Sequence, residues 1–196
     1  FGRGQAMSAD ILLGSTLRAG TAQLHPQPLN LTALVAAVVS RFQPDAALAG
    51  IQLTADCDAL LWVVADGPKL DRALANLVAN AIAYTRGCPQ GVITVCLEQS
   101  ERQLHVRVRD TGIGIETDAI ERIGQRFTRL ADGREAHHGH GLGLFGVAAI
   151  AALHGGTIAV VSPGRGCGTT VTLTLPRNTV DETALATLDR PAEAHT

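Results

Sequence analysis

Residues Gln103–Asp110, QLHVRVRD, alternate Leu104, Val106 and Val108 with His105, Arg107 and Arg109, the period of a strand with one covered face. Parity puts Asp110 on the apolar side, so a chain with this pattern must build a sheet whose covered face ends on a carboxylate. A group so placed needs a partner. Either it is a turn or N-cap aspartate satisfied by local amides, or it accepts the amino group of a ligand at the back of a pocket. The strand runs into DTGIGI at 110–115, and GHGLGL follows at 139–144. Two glycine clusters around a polar loop suit backbone brought close to a phosphate-bearing ligand, because glycine exposes bare N–H groups and leaves φ free.

The remaining composition narrows the field. At 196 residues there is room for one ordinary domain and an appendage. With 46% hydrophobic residues, 17% charged and a formal charge of -2, the chain carries no general attraction to nucleic acid or an anionic membrane. Lys69 is the only lysine and lies in no GxxxxGK[ST] string, which removes the P-loop. Cys57, Cys88, Cys96 and Cys167 form no CxxC pair and suit reduced thiols in a cytoplasmic setting. The longest apolar run, 142–153, is too short to span a bilayer. A start at Phe1-Gly2 reads as a piece cut from a longer parent.

Along the chain, Ala6, Leu13, Leu17 and Leu24 follow helical spacing and predict a helix packed on something outside itself. Pro26 and Pro28 then mark a linker or a short extended piece, and Asn30 is placed to cap a helix carrying Leu31, Leu34, Val35, Val38, Val39 and Phe42. Residues 51–55 and 60–64 read as two short strands paired as a hairpin. The next helix, 69–85, buries Leu70, Leu74, Leu77, Val78, Ala81 and Ile82 and sets Asn76 and Asn80 one turn apart beside that stripe. Mid-helix asparagines compete with the backbone, so the pair is either simply solvated or presents amide oxygens to a hydrated cation and phosphates. A hairpin of 91–98 and 104–110, a short helix from Thr117, a long polar loop, an apolar helix at 144–153 and a final hairpin of 157–161 and 169–175 complete the order. A loop of that length in a compact domain suits a lid.

These motifs, in this order, resemble the ATP-binding catalytic domain of sensor histidine kinases, within the superfamily that includes gyrase, Hsp90 and MutL. DRALANLVANAIAYT resembles the N box, DTGIGI the first glycine box, RIGQRFTR the F box, GHGLGL the second glycine box and GCGTTVTLTLP the closing glycine-threonine segment. The resemblance implies an α+β fold: a two-layer sandwich in which a mixed, mostly antiparallel sheet packs on about three helices, the Bergerat-type ATP-binding fold, with an N-terminal helix remnant. It implies three parts: 1–25, the end of a dimerisation and phosphoacceptor hairpin helix with its linker; 26–177, the catalytic domain; and 178–196, a polar tail or linker. ATP and Mg2+ are the implied cofactors. Asp110 would take the adenine amino group, helped by Thr169 and flanked by Tyr84. Asn80 would be the magnesium ligand, with Asn76 beside the phosphates. Gly112, Gly114 and Ile115 would border the base. Gly139, Gly141, Leu142, Gly143 and Leu144 would present a helix start to the phosphates. Phe127 would anchor the lid and Arg129 would meet phosphate charge, making Asn76 and Arg129 the candidate catalytic residues. The implied partners are a phosphoacceptor hairpin of the parent chain or its dimer mate and a response regulator receiver domain. The implied parent is a homodimer, in the inner membrane in many such sensors.

The sequence also departs from that pattern. Ala83 replaces a frequent basic residue, leaving Arg86, Arg129 or Arg134 to supply the charge, and Gly124 stands where the F box often has an aromatic. His137, His138 and His140 form a cluster that is either a metal site or a solvated loop. None of the seven histidines has the acidic follower of the family's phosphoacceptor box. Two rivals remain: an ATP hydrolase of the gyrase or Hsp90 type, which would need a glutamate where Asn76 stands, and a degenerate nucleotide-binding signalling module.

Overall fold

A computed structural model describes residues 7–11, 23–57, 59–116, 118–120, 122–123 and 142–177. The elements are β1 (Met7–Ile11), β2 (Gln27–Asn30), α1 (Leu31–Leu48), β3 (Gln52–Asp56), β4 (Trp62–Ala65), α2 (Gly67–Thr85), β5 (Val92–Gln99), β6 (Gln103–Asp110), α3 (Leu142–Leu153), β7 (Thr157–Ser162) and β8 (Thr169–Pro176). Asp118–Ile120 with Arg122 and Ile123 add a short helical stretch. Six strands form one sheet in the order β1-β7-β8-β6-β5-β3, antiparallel except for the β3–β5 pair, and β2 and β4 make a separate two-stranded sheet. The mixed, mostly antiparallel sheet under helices is the expected architecture.

One face of the sheet is covered. Ile93, Val95 and Leu97 of β5, Leu104, Val106 and Val108 of β6, Ile158 and Val160 of β7, and Leu173 and Leu175 of β8 are all buried, and the residues between them are not. Strand periodicity thus becomes a single apolar floor. On it lie α1, α2 and α3. The α2 stripe is buried as its spacing predicts, from Leu70 and Leu74 through Leu77 and Val78 to Ala81 and Ile82. α3 is built from small apolar residues, and Val147, Ala148 and Ala151 are wholly buried between α2 and the sheet.

Two elements differ from the sequence reading. Residues 7–11 are not helical but add an antiparallel edge strand beside β7, from Met7 opposite Ser162 to Ile11 opposite Ile158. Within MSADI the apolar and polar residues alternate, a local two-residue period that the sparse leucines of 1–24 conceal, and β7 offers a backbone edge to pair. The second difference is the predicted hairpin of 51–55 and 60–64. Instead β3 pairs parallel with β5, while β4 pairs antiparallel with β2, the proline-bearing segment. The connection is drawn to the first turn of α1, where the Thr32 hydroxyl donates to the Ala59 carbonyl at 2.8 Å and accepts from the Leu61 amide at 2.9 Å.

Both predicted helix starts are capped. The Asn30 side chain accepts from the Ala33 amide, and that of Asp66 accepts from the Lys69 amide. Asp66 does more than cap. Its other oxygen pairs with the Lys69 ammonium at 2.6 Å and accepts the His25 amide at 3.0 Å, while Lys69 reaches the Gln23 carbonyl at 3.0 Å. The Asp66 amide donates to Nε2 of His154, whose Nδ1 turns to the Ile150 carbonyl, so the end of α3 is joined to the start of α2. The Lys69 contact, above all, holds the Asp66 carboxyl at about 2 instead of 3.8. A depressed acid contributes stability above its unfolded value that is lost as pH falls from about 4 toward 2. We therefore expect Asp66→Ala to lower the unfolding free energy by roughly 2 kcal/mol, a lost cap plus orphaned partners. Urea titrations across that range should also show a flatter acid slope for the variant.

Candidate functional site

Where β6 ends, parity delivers Asp110 to the covered face, 7% exposed, opposite Ile93 of β5 and Thr169 of β8. Its Oδ1 accepts the Gly112 amide at 2.9 Å and the Thr169 amide at 3.2 Å. Oδ2 has no hydrogen-bond partner among the described residues. Burial pushes the carboxyl pKa up and the two amides pull part of the way back. The turn reading of the sequence accounts for one oxygen, which organises the loop.

Asp110 stands in the wall of a cleft of about 500 Å³. α2 contributes Leu77, Asn80, Ala81 and Tyr84; β6 and β8 contribute Val108, Thr169 and Val171; the glycine loop contributes Ile113, Gly114 and Ile115; α3 contributes Gly143, Leu144 and Phe145. The loop is sewn to α2 by the Ile113 amide donating to the Tyr84 carbonyl at 3.0 Å. Gly112 passes so close to that carbonyl that a Cβ would overlap it, which is why the cluster needs glycine here. Tyr84 and Ile113 remain 53% and 52% exposed, two large apolar side chains bordering one polar acceptor. At the other end, a Cβ on Gly143 would sit 3.4 Å from the Asn80 amide nitrogen, so the start of α3 and Asn80 share one corner.

Of the sequence-predicted site residues, Asn80, Tyr84, Asp110, Gly114, Ile115, Gly143, Leu144 and Thr169 line this cleft, and Gly112 binds Asp110 from behind. Asn76 does not line it. One turn deeper on α2, its amide lies 3.7 Å from where a Gly146 Cβ would be, against the flank of α3. Leu142 opens α3. Phe127, Arg129, Gly139 and Gly141 lie outside the described residues, as do the lid and the histidine cluster. Sequence reasoning left out the apolar walls supplied by Leu77, Val108, Phe145, Val160 and Val171. Strand parity was the signal for Val108 and Val171, which share the inward face with Asp110 and Thr169. It also left out Ser162, a third polar residue on that face, buried where β7 ends.

At the α3 end of the cleft, Asn80 is the group that could meet a metal ion. Asn80 is half-buried on the cleft wall, and its amide has no hydrogen bond among the described residues. A single neutral oxygen fits Mg2+, which keeps several waters and takes its remaining ligands from phosphates. Among the described residues no group of three or more His, Cys, Asp or Glu could form a dedicated metal cage.

A one-sided mixed sheet beneath three helices, opening between α2, α3 and the end of β6, defines a ligand-binding domain of the two-layer α/β class. The model of the histidine kinase-, DNA gyrase B-, and HSP90-like ATPase family matches residues 65–179, more than half of the chain. The chain belongs to that family. It is similar to the sensor-like histidine kinase SenX3 of Mycobacterium tuberculosis, 36% identical over 172 residues, covering 87% of this chain and 41% of that protein. The histidine protein kinase DivJ of Caulobacter vibrioides is 34% identical over 169 residues, covering 85% of this chain and 28% of DivJ. Among solved structures, full-length ShkA in complex with AMPPNP superposes with a TM-score of 0.68 at 26% identity, over 83% of this chain and 33% of that one. The catalytic domain of the histidine kinase ThkA superposes with a TM-score of 0.65 at 26% identity, over 78% and 97%. The chain spans about two fifths of the length of SenX3. No described helix is long and apolar enough to cross a membrane.

Proposed function

We propose that this domain binds Mg-ATP and, in its parent, donates the γ-phosphoryl group to a histidine outside residues 1–196. The observation that carries the reading is Asp110: a buried carboxylate with one oxygen committed to its own loop and the other without a partner among the described residues, on the wall of an apolar cleft. That arrangement accepts an exocyclic amino group. Tyr84 and Ile113 flank the base, Thr169 adds a hydroxyl, and Asn80 holds Mg2+ beside the start of α3, where Gly143 presents its amide to phosphate. Magnesium arriving with the triphosphate supplies charge neutralisation at the transferring group. Positioning is what this chain contributes, since phosphoryl transfer asks little covalent chemistry of the protein. Asn76 helps fix α2 against α3, and Arg129, on the lid with Phe127, meets phosphate charge. A neutral Asn76 where hydrolases of the superfamily carry a glutamate base leaves water unactivated, which favours transfer over hydrolysis.

The acceptor histidine sits on a helical hairpin of the parent or its dimer mate. The structure of ThkA in complex with response regulator protein TrrA supports a receiver domain as the onward partner. The parent is a homodimeric sensor anchored in the inner membrane.

Incubation with γ-labelled ATP and a separately supplied hairpin domain bearing the histidine tests this. Label is expected on the hairpin with the wild-type chain, and Asn80→Ala should weaken magnesium-dependent binding of a non-hydrolysable analogue more than magnesium-free binding. Binding without any transfer would reject the kinase reading; equal losses with and without magnesium would reject the metal role of Asn80.

A further inference from the structure

We infer that Ser162 is a positioning residue for the base end of the cleft and, through it, sets the preference for adenine over guanine. The inference rests on the assignment of the cleft to ATP. Ser162 ends β7 on the covered face and is 2% exposed. Its hydroxyl donates to the Gly168 carbonyl at 2.7 Å and accepts the Ile115 amide at 2.9 Å. Longer contacts reach the Gly164 carbonyl and amide at 3.3 and 3.4 Å.

Those two short bonds close a ring around Asp110. The Gly168 amide donates to the Gly112 carbonyl at 3.1 Å, the Gly112 amide donates to Asp110 Oδ1, and the adjoining Thr169 amide reaches the same oxygen. The Gly166 amide adds a bond to the Ile113 carbonyl at 2.6 Å. The glycine loop at 112–115 and the β7–β8 turn at 163–168 are thus bound to each other by backbone, with two side chains at the joints: Asp110 at one, Ser162 at the other. Ser162 does not line the cleft, so it acts through the loop and the carboxylate. Loss of the hydroxyl takes that partner from a half-buried amide and a buried carbonyl, and both belong to segments that fix where Asp110 and Ile115 meet the base. Adenine presents an amino donor where guanine presents a carbonyl acceptor. A carboxylate held in place rewards the first and repels the second, and a loosened one distinguishes them less.

The test measures binding of AMPPNP and GMPPNP to the 196-residue chain by calorimetry, for wild type, Ser162→Ala and Ser162→Cys, with thermal unfolding recorded alongside. Cysteine nearly matches serine in volume but hydrogen-bonds weakly, so it keeps the test available if alanine disrupts folding. Both variants are expected to unfold cooperatively, to bind AMPPNP about tenfold more weakly, and to lose about tenfold in the AMPPNP:GMPPNP ratio. A folded variant with a lowered melting temperature and an unchanged ratio would make Ser162 merely structural and overturn the inference, as would failure of both variants to fold. Wild-type chain that binds no adenine nucleotide would instead bring down the ATP assignment, and this inference with it.

Discussion

Asp110→Asn should weaken ATP binding roughly ten- to a hundredfold, the worth of a charge-assisted hydrogen bond, while leaving the domain at least as stable as wild type. The two effects separate because the two carboxylate oxygens have separate tasks. Oδ1 already accepts the Gly112 and Thr169 amides, and an asparagine must turn its own oxygen to them to keep those bonds. Its NH2 group then occupies the place of Oδ2 and meets the adenine amino group donor to donor. Stability moves the other way. Burial raises the Asp110 pKa, so the fold favours the protonated acid. As pH rises past the unfolded value, ionisation of the unfolded chain draws stability away, and above the raised folded value the deficit is constant. At neutral pH Asp110 therefore costs stability, and a neutral isostere relieves it. Calorimetry with AMPPNP beside urea unfolding at pH 7 checks both halves. A variant that loses stability and affinity together would mean that Asp110 is a structural turn residue.

Part of this site was legible in the sequence. The two-residue period of 103–110 put a carboxylate on the apolar face, and the 3.6-residue period of 69–85 put Asn80 beside a buried stripe; both facts are local, and both hold in three dimensions. What periodicity cannot convey is which strands pair. β3 and β5 are neighbours with β4 and α2 between them in sequence, and β4 leaves to join β2, a segment whose prolines suggest only extension. Likewise MSADI has too few residues to outweigh the helical spacing of Leu13, Leu17 and Leu24 when read alone; the edge of β7 decides its conformation.

At the site, the same limit separates Asn80 from Asn76. One turn apart on α2, they looked equivalent until α3 crossed: Gly143 leaves Asn80 open to the cleft, and Gly146 lies against Asn76. Ser162 escaped notice for a related reason. A serine after the apolar run Ile158–Val161 reads as a strand end, and only the return of β8 beside β6 brings the loop amide and turn carbonyl that give its hydroxyl a task.

Gly168→Ala should remove stability and nucleotide binding together, the opposite of the Asp110→Asn pattern. Gly168 has φ +72, where an L side chain is strained by about 1–2 kcal/mol before any contact is counted. Its Cβ would also overlap the Asp110 carbonyl oxygen and lie 3.0 Å from the Thr111 Cα. Both obstacles are backbone, so no rotamer change can relieve them. To admit the methyl group, the chain must part at the position where Thr169 of β8 is registered opposite Asp110 of β6. That parting breaks the Thr169 amide bond to Oδ1 and pulls the Gly168 amide from the Gly112 carbonyl, so the bonds that aim the carboxylate fail with the strand register. A loss of roughly 3 kcal/mol is expected, the strain together with lost hydrogen bonds. AMPPNP binding should fall below detection even at temperatures where the variant remains folded. Gly166, at φ +77 with open space around its Cβ position, is the control: alanine there carries the same kind of backbone strain without the collision. If Gly168→Ala proves no worse than Gly166→Ala in urea unfolding and in AMPPNP calorimetry, close approach at Asp110 is not what demands glycine, and the ring of bonds around the carboxylate is looser than its distances imply.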